Sequence, residues 1–109
     1  MSKIMFYINA INGGGAERVM VNLASYFSEN DYDTVLVTSF RDLWEYQISK
    51  KVKRLTLEER EIKQSRIKRN ISRITKLRRM CKEEKPDILI SFMEEPNFRA
   101  ILATRGLPV

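Results

Sequence analysis

The sequence predicts an α/β fold, an open and mainly parallel sheet with helices on both faces. Short, almost wholly apolar runs, which are typical of strands buried on both sides, alternate with longer segments in which apolar residues recur at helical spacing. A glycine-rich loop joins the first apolar run to the first helical segment. Because a strand, a helix and a second strand in this order form a βαβ unit, the first two strands should lie parallel in one sheet.

The βαβ unit lies at the start of the chain. Residues 4–9 form the first apolar run, and residues 16–29 have the spacing of an amphipathic helix. That helix should end at Asn30 and Asp31, since asparagine tolerates the left-handed conformation that helix C-termini often adopt. The β-branched run at residues 34–38 then predicts the second strand.

The middle of the chain is less regular. Residues 39–49 are predicted to form either a short helix or a loop packed on the sheet edge, and residues 52–57 a short third strand near an edge. Residues 65–84 have the periodicity of a long helix. Pro86 should end this helix, because a residue that precedes proline disfavours the helical conformation.

The last part of the chain continues the alternation. Residues 87–92 predict a fourth strand with the continuous apolar character of a buried parallel strand. Pro96 suits the first turn of a further helix, and Gly106 suits its end. Residues 107–109 have the character of a fifth strand that is just beginning. We therefore expect residues 1–109 to be one truncated, N-terminal domain of a longer protein.

Composition narrows the chemistry. With 43% hydrophobic and 31% charged residues the chain is typical of a soluble globular domain, and its apolar runs are far shorter than the roughly 20 residues of a membrane span. The single cysteine, Cys81, and the lack of histidine argue against an internal disulfide and against Cys/His metal or catalytic sites. We expect no metal, no bound cofactor and a cytoplasmic location.

The formal net charge of +6 is concentrated in the long helix, where residues 66–82 include eight lysines and arginines and no acidic residue. One face of this helix is predicted to pack on the sheet: Ile67, Ile71, Ile74, Leu77 and Cys81. The opposite face is predicted to be basic and to meet anionic lipid headgroups: Arg69, Arg73, Lys76 and Arg79. A solvated face without a partner is the alternative. Arg78 falls on the apolar side, so it should extend to the surface or find a partner.

The loop after the first strand contains Gly13, Gly14 and Gly15, at the edge where open α/β sheets bind ligands. Three glycines let backbone amides approach a phosphate or a sugar, and the helix behind them points its N-terminal amides at an anion. The alternative is a tight turn without a ligand. Arg18 stands where the dinucleotide-binding fingerprint needs its third glycine, and no Gly-Lys-Ser/Thr exists, so neither an NAD nor an ATP motif is present.

Polar residues beside the two loops are further candidates for substrate binding. Glu17 and Arg18 lie in the first turn of the first helix, where they either contact a ligand or only stabilise the helix. Glu94 and Glu95 follow the fourth strand, where they either hold an acceptor hydroxyl or are solvated. Two weaker candidates at the same rim are Asn97 and Arg99.

Two segments carry a resemblance to a known family. Residues 13–19 (GGGAERV), followed by residues 22–24 (NLA), resemble the N-terminal signature of the family 4 glycosyltransferases. Residues 85–92 (KPDILISF), after a basic helix, resemble the fourth strand of the same domain. The resemblance covers nearly the whole chain.

The resemblance implies a retaining enzyme with two facing Rossmann-like domains. The N-terminal domain would mainly hold the acceptor, and a C-terminal domain outside these residues would bind the nucleotide sugar and carry a Glu-seven-residues-Glu motif. The implied activity is transfer of a sugar to a glycan or lipid-linked acceptor, in cell-surface polysaccharide synthesis at the inner face of the membrane. Residues 1–109 alone should be inactive. Many relatives place a histidine near the reacting sugar, whereas this chain has none, so its catalytic residues stay unassigned.

Two other classes of protein are less compatible with the sequence. A basic α/β module that binds nucleic acid through residues 66–82 would be expected to carry stacking aromatics or a nucleic-acid motif, and neither accompanies the basic run. A regulatory nucleotide-binding domain would need an acidic cluster or a P-loop. The expected partners are a nucleotide sugar, an acceptor and an anionic membrane surface, and not nucleic acid.

Overall fold

A computed structural model describes residues 2–42, 44–58 and 65–109 of the chain. Within these residues the chain forms four strands and three helices. In chain order they are β1 (Lys3–Ile8), α1 (Gly15–Glu29), β2 (Asp33–Thr38), β3 (Lys53–Thr56), α2 (Arg66–Glu84), β4 (Ile88–Ser91) and α3 (Glu94–Ala103). The first four predicted strands and the three predicted helices are present, with their ends shifted by a few residues, whereas residues 107–109 form no strand.

The four strands are parallel and lie in the order β3-β2-β1-β4. β1 pairs with β2 from Lys3 opposite Asp33 to Ile8 opposite Thr38, and β4 lies on its other side. The predictions of a parallel sheet with the third strand at an edge are confirmed. Because all the strands point the same way, the loops that follow β1, β2 and β4 meet at one edge of the sheet.

Helices cover both faces of the sheet, as predicted. On one face Phe6 of β1 packs in a buried cluster with Met20 of α1. On the other face Met5 packs with Leu77 of α2 and Ala103 of α3. Neighbouring residues of β1 therefore enter two different cores, which is why the strand reads as a continuous apolar run. Among the described residues no helix combines the length and apolar character needed to cross a membrane.

The segment between β2 and β3 is a loop, so the helical alternative for residues 39–49 is wrong in the described part. The Tyr46 amide donates to the Ile11 carbonyl at 2.8 Å, and Tyr46 and Ile48 pack against the core on the α1 side. Leu43, which belongs to this segment, lies outside the described residues.

The end of α1 differs from the prediction in its left-handed residue. Asp31 has φ 68°, whereas Asn30 has φ −109°. The Asn30 side chain is instead used in a hydrogen bond, since its Nδ2 donates to the Tyr26 carbonyl at 2.7 Å. Helix α2 ends at Glu84, and its C-cap Lys85 has the left-handed φ of 52°. The prediction that the helix stops before Pro86 is confirmed.

The predicted apolar face of α2 is correct only in its second half. Leu77 and Cys81 are buried, but Ile67 and Ile71 are 72% and 61% exposed. The buried stripe passes through Arg73, which is only 2% exposed and lies one turn before Leu77. The prediction that Arg73 belongs to an outward, membrane-facing surface is therefore wrong.

Two further predictions for the second half of the chain have different outcomes. Arg78 finds partners, because its Nη1 donates to the carbonyls of Ala103 at 3.1 Å and Arg105 at 2.6 Å, at the end of α3. The fourth strand, in contrast, is not buried on both sides. β4 is an edge strand among the described residues, and Ile88 is 52% exposed.

Candidate functional site

A cleft of about 300 Å³ opens where β1 and β4 end. Asn9 and Asn12 line it from the loop after β1, and Met93 and Glu95 line it from the start of α3. The loop after β1 and the segment that leads into α3 thus border one cleft. Gly13, Gly14 and Gly15 are not among the described residues that line the cleft. Asn12, just before these glycines, and Glu17, just after them, do line it.

The glycines shape the loop beside the cleft. Gly13 has φ 63°, a conformation that a side chain would strain. Gly14 has an ordinary φ of −97° and is the N-cap of α1. A Cβ atom on Gly14 would clash with Glu17 Oε2, so the Glu17 carboxylate occupies the space that a side chain at Gly14 would need. The loop thus has one glycine required by the backbone and another that makes room for a carboxylate lining the cleft.

The wall of the cleft opposite this loop is basic. Arg69 and Arg73 of α2 line it together with Phe40, whose ring centre lies 5.7 Å from the Arg73 guanidinium carbon. Arg73 Nε is 3.1 Å from Glu58 Oε1, and the two side chains are 3% and 1% exposed. Glu58 supplies the charge that allows an arginine to lie on the buried stripe of α2.

This basic wall keeps unused hydrogen-bonding groups. Among the described residues, Arg69 Nε and Arg73 Nη2 are buried without a hydrogen-bond partner. Glu58 Oε2, also among the described residues, is likewise buried without a hydrogen-bond partner. Buried polar atoms in folded proteins are usually paired, so Arg69 and Arg73 lie at the wall of the cleft with part of their hydrogen-bonding capacity unmet. Guanidinium groups at such a wall suit a ligand with several acceptor oxygens.

A buried arginine from α3 lies beneath the other side of the cleft. Arg99 is 1% exposed. Its Nη1 donates to Asn9 Oδ1 at 2.6 Å, its Nη2 to Glu95 Oε2 at 3.1 Å and its Nε to Asn70 Oδ1 at 3.0 Å. One guanidinium therefore connects β1, α2 and α3.

The same network continues into the first two strands. Arg99 Nη1 also lies 3.3 Å from the Tyr7 hydroxyl, which is 2.7 Å from Ser39 Oγ. Ser39 Oγ donates to Asn9 Oδ1 at 2.8 Å, so the proton between Tyr7 and Ser39 comes from Tyr7. This arrangement satisfies the hydroxyl groups of Tyr7 and Ser39 beneath the cleft.

The other predicted site residues lie beside the cleft or away from it. Arg18 is exposed, with its guanidinium 5.9 Å from the ring centre of Tyr46. Glu94 lies in a neighbouring groove with Phe98. Asn97 Oδ1 accepts from Ser91 Oγ at 2.5 Å, at the end of β4.

The basic residues predicted to face a membrane divide into two groups. Arg69 and Arg73 line the cleft, whereas Arg79 is exposed and Lys76 is half-buried on α2. Among the described residues no group of three or more potential ligands could hold a metal ion. The expectation that no cofactor is bound stays a prediction.

Sequence reasoning missed Asn9 and undervalued Arg99. An asparagine at the end of an apolar strand has no pattern that separates a site residue from a loop residue. For Arg99 a signal existed, because Glu95 precedes it by four residues in a helix, and such a pair can interact. Its burial, however, depends on oxygens from β1 and α2 that only the fold brings together.

A carboxylate near the N-terminal ends of the strands, opposite the cleft, contributes to the fold. Glu84 Oε1 is 2.9 Å from Lys3 Nζ, and Glu84 Oε2 is 2.9 Å from Lys53 Nζ. The hydrogen bonds from Lys53 and Lys3 lower the pKa of Glu84 below its ordinary value of 4.5. This cluster joins the first residues of β1 and β3 to the last residue of α2, away from the cleft.

Comparisons with known proteins agree with this architecture. The family model described as Glycosyltransferase Family 4 matches residues 13–109. A relative from Campylobacter jejuni is 31% identical in an alignment 109 residues long, which covers 98% of this chain and 30% of the relative. It is named GalNAc-α-(1→4)-GalNAc-α-(1→3)-diNAcBac-PP-undecaprenol α-1,4-N-acetyl-D-galactosaminyltransferase. The chain thus spans about a third of the length of that relative. By the family match, which covers most of its residues, the chain belongs to Glycosyltransferase Family 4.

Proposed function

We propose that this chain supplies the acceptor-binding part of a glycosyltransferase that moves a sugar from a nucleotide-sugar donor to a lipid-linked glycan. The observation that carries the proposal is the cleft at the carboxyl ends of β1 and β4 in a chain of this family. Ligands of open α/β sheets bind at this edge. The nucleotide-sugar site and the groups that act on the reacting bond are assigned to a further domain.

The lining of the cleft supports a polar, partly anionic acceptor. Asn9, Asn12 and Glu95 offer side chains that suit sugar hydroxyls. The guanidinium groups of Arg69 and Arg73 line the cleft and suit the oxygens of a diphosphate, to which arginine binds with charge-assisted hydrogen bonds. The Campylobacter relative supports the same class, since its name gives a diphosphate-linked (PP) undecaprenol acceptor.

A transfer assay on the full-length protein tests this function. The acceptor pool is a lipid extract from cells that lack the gene, and the donors are radiolabelled nucleotide sugars tested one at a time. We expect one donor to label a lipid-linked product. The absence of any labelled product with every donor, under conditions in which the protein is folded, would contradict the proposal.

Two variants separate the role of the cleft in acceptor binding from general effects of charge. Arg69→Gln removes a guanidinium from the cleft, and we expect kcat/KM for the acceptor to fall by about tenfold or more, the effect of a lost charge-assisted hydrogen bond. Lys50→Gln removes the same charge from an exposed residue outside α2 and the cleft, and should leave transfer unchanged. Equal losses in the two variants would show that only net charge matters.

We further propose that the outer surface of α2 meets an anionic membrane, where lipid-linked acceptors would reside. Lys68 and Arg79 are exposed there, and the exposed Ile67 and Ile71 add apolar surface. The triple variant Lys68→Gln/Lys76→Gln/Arg79→Gln should lose binding to anionic vesicles, and 0.5 M salt should weaken wild-type binding because screening shortens the range of attraction.

Vesicle co-sedimentation measures this binding. Equal sedimentation of the wild type and the triple variant would contradict the proposal that the outer surface of α2 binds an anionic membrane. A tighter, salt-dependent affinity for arbitrary DNA than for anionic vesicles would instead favour the nucleic-acid alternative.

A further inference from the structure

The buried Arg99 holds two side chains of the cleft by one atom each. Asn9 Oδ1 accepts from Arg99 Nη1 at 2.6 Å, and Glu95 Oε2 accepts from Arg99 Nη2 at 3.1 Å. Asn9 and Glu95 both line the cleft, whereas Arg99 is 1% exposed beneath it. The guanidinium therefore orients these two groups without contacting the space of the cleft itself.

The contacts of Asn9 decide which way its amide faces. Arginine carries only donors, so the atom of Asn9 that is 2.6 Å from Arg99 Nη1 must be the oxygen. Ser39 Oγ donates to the same oxygen at 2.8 Å. The hydrogen bonds found among the described residues thus occupy the oxygen of the Asn9 amide and leave its NH₂ group as the part available to the cleft.

The backbone around Asn9 is also fixed. Its carbonyl accepts from the amides of Ser39 at 2.9 Å and Phe40 at 3.3 Å. An amide held at its main chain and at its side-chain oxygen loses little further entropy when a ligand binds. The Asn9 NH₂ group is a preorganised donor.

Glu95 supplies the opposite polarity. Its Oε2 is engaged by Arg99, its side chain is 49% exposed, and an ionised carboxylate has no proton to donate. Its second oxygen is an acceptor at the rim of the cleft. A donor and an acceptor that line one cleft and are held by one guanidinium match an alcohol, which accepts one hydrogen bond and donates another.

We propose that Asn9 and Glu95 bind a hydroxyl group of the acceptor sugar, and that Arg99 is the positioning residue that holds this donor and acceptor pair. This inference deepens the proposed function and rests on it. It adds the groups that recognise the glycan end of the acceptor, distinct from the arginines of α2 that suit its diphosphate.

Two isosteric substitutions test the pair without removing the contacts to Arg99. Asn9→Asp keeps an oxygen for Arg99 and Ser39 but replaces the NH₂ donor by an acceptor. Glu95→Gln keeps an oxygen for Arg99 but places an NH₂ group where the second oxygen was. Each variant keeps the hydrogen bond to Arg99 but exchanges a donor for an acceptor, or an acceptor for a donor, at the position proposed to bind the sugar hydroxyl.

The experiment measures steady-state transfer by the full-length protein, with the lipid-linked fraction that the wild type glycosylates as the probe. We expect each variant to raise KM for that acceptor by roughly tenfold, with KM for the nucleotide sugar unchanged and the thermal midpoint close to that of the wild type. Glu83→Gln, the same change on an exposed carboxylate at the far end of α2, is the control and should behave as the wild type.

A third variant examines Arg99 itself. Arg99→Lys keeps the charge beside Glu95 but cannot hold Asn9, Asn70 and Glu95 with one planar group. Its increase in acceptor KM should not add to that of Asn9→Asp, because both act on the same amide. Additive effects would show that Arg99 does not act through Asn9.

The outcomes separate this inference from the function on which it rests. A wild-type protein that labels no acceptor removes the proposed function. A wild type that transfers sugar, with Asn9→Asp and Glu95→Gln variants that keep its acceptor KM, overturns the inference alone. An equal rise in the KM of donor and acceptor overturns it as well, since the pair would then not be specific to the acceptor.

Discussion

Replacing Glu58 by alanine should destabilise the fold strongly, because it leaves a buried arginine without its counter-ion. Arg73 Nε lies 3.1 Å from Glu58 Oε1, and both side chains are almost completely buried. Breaking such a pair by removing one partner costs about 3–5 kcal/mol, most of which reflects the uncompensated charge that remains.

Urea unfolding of the wild type and of three variants measures this cost. We expect Glu58→Ala to lose about 3 kcal/mol or more, whereas the double variant Glu58→Leu/Arg73→Met should lose much less, because it removes both charges and fills their space. Glu29→Ala, which breaks a pair whose two side chains are more than half exposed, is the control and should change the midpoint little. A Glu58→Ala variant within about 0.5 kcal/mol of the wild type would refute the assignment of Arg73 to the interior.

Three other predictions follow from single contacts. Gly14→Val should keep the fold, because its backbone is unstrained, but lower transfer by displacing the Glu17 carboxylate, as transfer kinetics and a melting curve together would show. The stabilisation by Glu84, whose pKa is lowered, should be present above pH 4.5 and fade as the pH falls further, so Glu84→Gln and wild type should converge in acid denaturation. Burial raises the pKa of Cys81 to about 11, so at pH 8 its thiol should react with a thiol reagent far more slowly than free cysteine; equally fast labelling would contradict its burial.

The sheet could be predicted from the sequence because its signals are local. β1, β2 and β4 are short runs rich in apolar residues, each followed by a turn or a loop, and a βαβ order leaves few topologies for a parallel sheet. The edge position of β4 could not be predicted in the same way. Its apolar residues are those of a buried strand, yet Ile88 is half-exposed among the described residues, because which strand forms an edge depends on long-range pairing.

Helix α2 shows where periodicity alone fails. The spacing of its isoleucines predicts an apolar face that includes Ile67 and Ile71, but the buried stripe turns through Arg73 instead. A hydrophobic pattern assigns every arginine to the surface. It does not indicate that Glu58, 15 residues earlier in the chain, supplies the buried counter-charge for Arg73. Two of the four residues predicted to face a membrane, Arg69 and Arg73, therefore line the cleft instead.

The candidate site was predictable in its position and only partly in its residues. The glycines and the acidic residues after β4 mark the two loops, since loops at the carboxyl ends of parallel strands share one edge. Asn9 and Arg99 were not recognisable as a pair, because they lie 90 residues apart and are joined by one hydrogen bond in the folded chain. Local patterns find loops, but they do not find networks of this kind.

Methionine oxidation in the full-length protein tests most directly whether the acceptor occupies the cleft. Met93 lines the cleft and is 54% exposed, whereas Met5 and Met20 are fully buried and serve as internal references. In a transfer-competent preparation, a saturating amount of the lipid-linked acceptor should slow peroxide oxidation of Met93 several-fold and leave oxidation of the partly buried Met80 on α2 unchanged. Oxidation of Met93 at the same rate with and without the acceptor would show that the acceptor binds elsewhere.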